Sequence, residues 1–86
     1  MTLRSEDLAW QVVDGGYVVL DLRSSRYLDV NGTGALLWPL LERGCEEDDL
    51  VAALTAAHDD VPEDVARRDV RAFVAELEAR ALLAPA

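Results

Sequence analysis

The chain has one thiol, Cys45, and one imidazole, His58, and any catalytic or metal chemistry would start from these two side chains. A zinc site needs three or four converging Cys, His or carboxylate ligands. A calcium loop needs a central glycine with oxygens at fixed intervals. The run His58-Asp59-Asp60 has neither the glycine nor the spacing. Cys45 and His58 stand thirteen residues apart, and no third group is indicated that would orient an imidazole against a thiol. Cys45 therefore reads as a small structural residue. The seventeen carboxylates fall mostly on expected helix faces, where solvation accounts for them. Backbone chemistry is the remaining candidate. Asn31-Gly-Thr-Gly34 lies between a short apolar stretch and Leu36-Leu-Trp38, a strand-to-helix junction of the kind whose main-chain N–H groups hold phosphate. It matches neither the dinucleotide fingerprint nor the P-loop, Asp29 stands just upstream, and no lysine follows. The residues predict a protein that is not an enzyme and has no metal or cofactor.

Eighty-six residues make one small domain, expected over 1–86. A chain of that size buries only about 60–65% of its unfolded surface, so its core is thin. With 51% hydrophobic residues it is too apolar for disorder. No apolar run reaches the ~20 residues of a membrane span. The first ten residues, MTLRSEDLAW, lack the basic and apolar regions of a signal peptide. A lone cysteine fits a reducing cytoplasm. The formal charge is −9, with four arginines and six acids in residues 1–43 but four arginines and eleven acids in 44–86. Such a surface repels nucleic acid and anionic membrane and favours a basic partner or simple solubility.

The first thirty residues carry strand patterns. Leu8–Val13 alternates, with Leu8, Trp10 and Val12 on one face. Asp14-Gly-Gly16 supplies a turn, Tyr17–Leu22 a second strand, Arg23–Arg26 a second turn and Tyr27–Val30 a short third strand. Strands joined by short turns pair antiparallel, which puts strand 3 on an edge. Asn31, or alternatively Thr33, is the expected N-cap of a helix carrying Leu36, Leu37, Leu40 and Leu41 and ending at Gly44. Pro39 inside it predicts a kink or a late helix start. A second helix begins near Cys45, with Glu46–Asp49 complementing the positive end of its dipole and Leu50, Val51 and Leu54 buried. A third, of some twenty residues, opens at Pro62 and carries Val65, Val70, Phe73, Val74, Leu77 and Leu82 at roughly helical spacing. The fold class is α+β, a three-stranded antiparallel sheet followed by three helices.

Three strands and three helices are also the inventory of a winged-helix DNA-binding regulator. Helix 2, EEDDLVAALTAAHD, has no arginine where such a protein presents its basic recognition helix. An acyl carrier needs an exposed serine after an aspartate at a helix start, and Ser5, Ser24 and Ser25 follow Arg4, Arg23 and Ser24. The edge of strand 3 remains. Arg26 and Asp29 either blunt it against chance pairing or flank a site where an extended peptide adds as a further strand.

The run Arg26-Tyr-Leu-Asp-Val-Asn-Gly-Thr-Gly-Ala-Leu-Leu-Trp-Pro-Leu-Leu-Glu-Arg-Gly44 resembles the signature of the PqqD family, also called RiPP recognition elements. Its marks are a tyrosine-leucine strand, an asparagine, a small-residue helix start and a tryptophan before the next turn. Asp69–Leu77 followed by Ala81–Leu83 is similar to the family's last helix, so the resemblance covers about residues 8–83. It implies a winged-helix-like unit that binds the leader segment of a ribosomally made precursor peptide and delivers it to modifying enzymes. The leader adds antiparallel beside strand 3 and is clasped by the third helix. Carried onto this chain, the peptide site is Arg26, Tyr27, Leu28, Asp29 and Val30 on the strand, with Val70, Phe73, Val74 and Leu77 as an apolar wall. Asp69 and nearby acids would draw basic leader residues. A free-standing acidic member of this length most resembles the leader-recognition proteins of lasso-peptide pathways, whose partners are the precursor, a leader peptidase and an ATP-dependent cyclase. The alternative is a partner of a radical-SAM enzyme in PQQ-type cofactor or other RiPP maturation. Pro39 departs from the family pattern, which has a helix former there.

Overall fold

Gly15, at φ 84°, turns the chain between the first two strands, a conformation that costs glycine nothing. Across a computed structural model that describes residues 1–85, the order is β1 (Leu8–Val13), β2 (Gly16–Asp21), β3 (Arg26–Asn31), α1 (Thr33–Arg43), α2 (Glu47–Ala57) and α3 (Glu63–Ala79). The strands form one antiparallel sheet in the order β1-β2-β3. This is the α+β, winged-helix-like arrangement expected, with strand limits within about a residue. Register aligns Trp10, Val19 and Leu28 across the sheet, and Val12, Tyr17 and Val30 beside them. That face meets the helices, burying Val19 and Val30, although Val12 stays 73% exposed towards the β1–β2 turn. Gly16 is needed for space rather than for its torsion. A methyl there would run into the Val30 carbonyl oxygen and lie 3.0 Å from Asn31 Cα.

The core gathers Leu37, Trp38 and Leu41 from α1, Leu50, Val51 and Leu54 from α2, and Ala66, Val70, Val74 and Leu77 from α3. Each large apolar side chain fully buried contributes roughly 1.5–3 kcal/mol. Trp38 is wholly enclosed, with Trp10 edge-on at 5.7 Å and Tyr17 tilted at 6.0 Å between ring centroids. Its indole N–H has no acceptor among the described residues.

Several local expectations are corrected. Asn31 ends β3 and does not cap α1. The cap position belongs to Gly32, whose φ 55° and ψ −127° suit glycine alone, and no side chain caps that helix. Helix α1 runs continuously from Thr33 through Pro39, so the proline does not mark a late start. It leaves the Ala35 carbonyl without its helical donor. Helix α3 stops at Ala79, and Ala81 turns the chain away at φ 58°. Leu82 therefore lies beyond the helix, buried beside Leu3 in a strap that joins both ends of the chain. There the Arg4 N–H donates to the Leu82 carbonyl at 2.8 Å, and the Ala84 N–H to the Thr2 carbonyl at 2.9 Å. The buried Arg4 guanidinium donates to Asp21 Oδ1 at 2.7 Å and to the carbonyls of Glu6, Asp7 and Ala81 at 2.8 Å.

Candidate functional site

β3 pairs with β2 along one side only, so its other side presents unpaired main-chain N–H and C=O groups. Alternation along the strand separates two sets of side chains. Arg26, Leu28 and Val30 share the face turned to the helices, while Tyr27 (69% exposed) and Asp29 point to the open face. β3 reaches the helices chiefly through α1, and on the α3 side it has Phe73 by Val30 at one end and a cavity at the other.

Helix α3 has two faces here. Val70 and Leu77 are fully buried and Val74 is 9% exposed, so these three belong to the core and not to an open wall. The helical period that makes them a stripe fixes only that they share a face. Asp69, Phe73, Glu76 and Arg80, spaced by four, three and four, make the neighbouring flank. Phe73 is partly buried and crosses to the strand side. A Cβ placed on Gly34 would meet Phe73 Cε1 at 3.0 Å and Val30 Cγ1 at 3.1 Å, so this glycine at the start of α1 seats the ring against the end of β3.

At the other end, β3 and the C-terminus of α3 enclose a cavity of about 380 Å³. Val19, Leu28 and Leu82 give it an apolar lining, and Asp21, Arg26 and Arg80 stand around it. Asp21 accepts from Arg4, from the Arg23 N–H at 3.0 Å and from Ser24 Oγ at 2.9 Å. The Arg4 guanidinium above all holds its carboxyl down at about 2. From sequence Arg80 carries no signal, Leu82 belongs to the apolar stripe of the third helix, and Gly34 to a glycine pair at a helix start, none of them as a site residue. An arginine just past a helix end, a leucine in a strap and a glycine at a helix start have commonplace structural roles, and only the fold brings them beside β3.

The thiol and imidazole stay apart. Cys45 lies just before α2 and His58 at its C-cap, so the eleven-residue helix separates them by roughly 16 Å at 1.5 Å per residue. Burial pushes the Cys45 thiol up, away from the thiolate form. Among the described residues no three His, Cys, Asp or Glu side chains converge as a metal would require, and no helix is long and apolar enough to cross a membrane.

The family profile described as Coenzyme PQQ synthesis protein D (PqqD) matches residues 16–83, from the first residue of β2 through Leu83, just past the buried Leu82. The chain belongs to the PqqD family. TbiB1 in complex with the TbiA(beta) leader peptide is 28% identical, with a TM-score of 0.88, over 100% of this chain and 98% of that one. A lasso peptide synthetase B1 complexed with the leader peptide is 30% identical, with a TM-score of 0.81, over 96% of this chain and 95% of that one. No curated protein matches in sequence. The PqqD-family match thus spans the open strand, the Phe73 seat and the cavity.

Proposed function

We propose that this PqqD-family chain binds the leader segment of a ribosomally synthesised precursor peptide by strand addition at β3 and presents it to processing enzymes. The carrying observation is the unpaired β3 edge beside a cavity lined by both apolar and charged side chains. Two proteins of the same fold, 28% and 30% identical, were solved with leader peptides. In this reading the main chain of Tyr27, Leu28, Asp29 and Val30 pairs with the leader and Arg26 flanks it. Phe73 supplies the exposed part of the α3 wall, and Val70, Val74 and Leu77 hold that helix in place from behind. Asp69 draws basic leader residues and raises the association rate more than the affinity. The protein turns over no substrate itself. A leader peptidase and a lasso cyclase take up the bound peptide, and the single domain works in the cytoplasm, a setting supported by its lone thiol. The radical-SAM alternative is separated by which of these genes lies beside this one.

Titration of a labelled synthetic leader, taken from the precursor encoded beside this gene, tests the reading. Saturable binding is expected. Its absence below about 100 μM, roughly −5.5 kcal/mol, refutes it.

A further inference from the structure

The α3 side of β3 differs from end to end. α3 runs past β3 so that Phe73 lies by Val30 and Arg80 stands with Arg26 around the cavity. Asp69, one turn before Phe73 on the same flank of α3, lies away from the cavity, and Glu76 on that flank is paired with Arg80. At the cavity the balance is reversed in a chain of net charge −9. The Asp21 carboxylate is engaged by Arg4, Ser24 and the Arg23 N–H and offers little to a ligand. Among the described residues Arg26 has no carboxylate within ion-pair distance. Arg80 makes one contact, with Glu76 at 3.4 Å, which leaves most of its five N–H donors unused. Two guanidinium groups thus stand over an apolar lining of Val19, Leu28 and Leu82.

β3 runs from Arg26 to Asn31, so an antiparallel partner enters beside Val30 and leaves beside Arg26. Its alternate side chains point inward, towards the cavity. We propose that the cavity between Arg26 and Arg80 is a subsite for one acidic side chain from the C-terminal half of the bound leader segment. The methylene stem lies on Leu28 and Leu82, and the carboxylate meets the arginine forks at the rim. This inference rests on the leader-binding reading above.

A positional scan decides it. Each position of the neighbouring gene's leader, made as a labelled synthetic peptide, is replaced in turn by Glu, Gln and Lys. Dissociation constants are measured for the wild type and for R26Q/R80Q. One position in the C-terminal half is expected to favour Glu over Gln by about fivefold, ~1 kcal/mol at 1.4 kcal/mol per decade, and to disfavour Lys. In R26Q/R80Q the Glu and Gln peptides bind alike. A C-terminal half without a Glu preference overturns the subsite, as does a preference that survives in the double variant. Should that variant fail to fold, the wild-type Glu-to-Gln ratio and its weakening in high salt still decide. Peptides that bind with no charge preference refute the subsite and leave leader binding standing, whereas no binding by any peptide refutes both.

Discussion

Removing the Phe73 ring should weaken peptide binding while leaving a folded domain. The ring is partly buried, and a Cβ built on Gly34 would meet its Cζ at 3.2 Å and its Cε1 at 3.0 Å, so Phe73→Ala empties the seat between α1, α3 and β3. Truncating a fully buried phenylalanine costs ~3–5 kcal/mol, and a ring at least about two-thirds buried loses about 2–4.5 kcal/mol of that. A domain of 86 residues has about 4–13 kcal/mol of stability, at 0.05–0.15 kcal/mol per residue. A stability above that cost keeps the variant folded, with Tm lowered by roughly 8–36 °C at 4–8 °C per kcal/mol. The ring lies beside Val30 at the end of β3, and its loss is expected to weaken leader binding by more than ~1 kcal/mol, about fivefold. Circular dichroism melts give the first quantity, and fluorescence anisotropy well below the melting range gives the second. Leu77→Ala is the contrast, because Leu77 is fully buried. It should cost ~2–5 kcal/mol of stability yet change the affinity of the folded fraction little. A folded Phe73→Ala whose affinity lies within twofold of wild type refutes the wall assignment, and outright unfolding makes Phe73 a core residue.

Three further outcomes follow from the packing. Gly16→Ala should destabilise by at least ~1–3 kcal/mol, visible as a lower urea midpoint, because its methyl meets the Val30 carbonyl and neither backbone can yield cheaply. Asp21 titrates near 2 in the fold against an ordinary 3.8, so its contribution to stability is complete above about pH 4 and is lost as pH falls towards 2. The Tm gap between wild type and Asp21→Asn should accordingly shrink through that window. Trp38→Ala should cost ~3–5 kcal/mol, whereas Trp38→Phe should cost far less, because it keeps an aromatic ring between Trp10 and Tyr17 and removes a buried donor that has no acceptor among the described residues.

Element order was legible because each signal was local. Alternation from Leu8 to Val13 marked β1, Gly15 marked the turn, and the acids before Leu50 marked the start of α2. The edge position of β3 followed from two short turns. What escaped depended on contacts distant in sequence. Asn31 has the side chain of a cap, but the backbone torsion needed at the junction selects Gly32. Val70, Val74 and Leu77 share a stripe with Ala66, and only the position of α2 decides that this stripe is core while Phe73 turns towards Gly34 and Val30. Gly34 carries no more sequence signal than a small-residue helix start, yet its missing side chain is what admits the Phe73 ring. The strap of Leu3 and Arg4 against Leu82–Ala84 joins residues some eighty apart and leaves no periodic trace.

An unpaired strand kept ready for one peptide is equally ready for another copy of the same chain. β3 can be neither covered nor paired while it awaits a leader, so protection against self-association has to act at a distance. A formal charge of −9 on 86 residues does this: two copies approach as like charges, while a segment with basic residues is drawn in. The protection is only as long as the Debye length, ~8 Å at 0.15 M salt and ~3 Å at 1 M. Colloidal stability and ligand access thus rest on one surface property, and a salt concentration that slows leader capture is also one at which open edges meet more often.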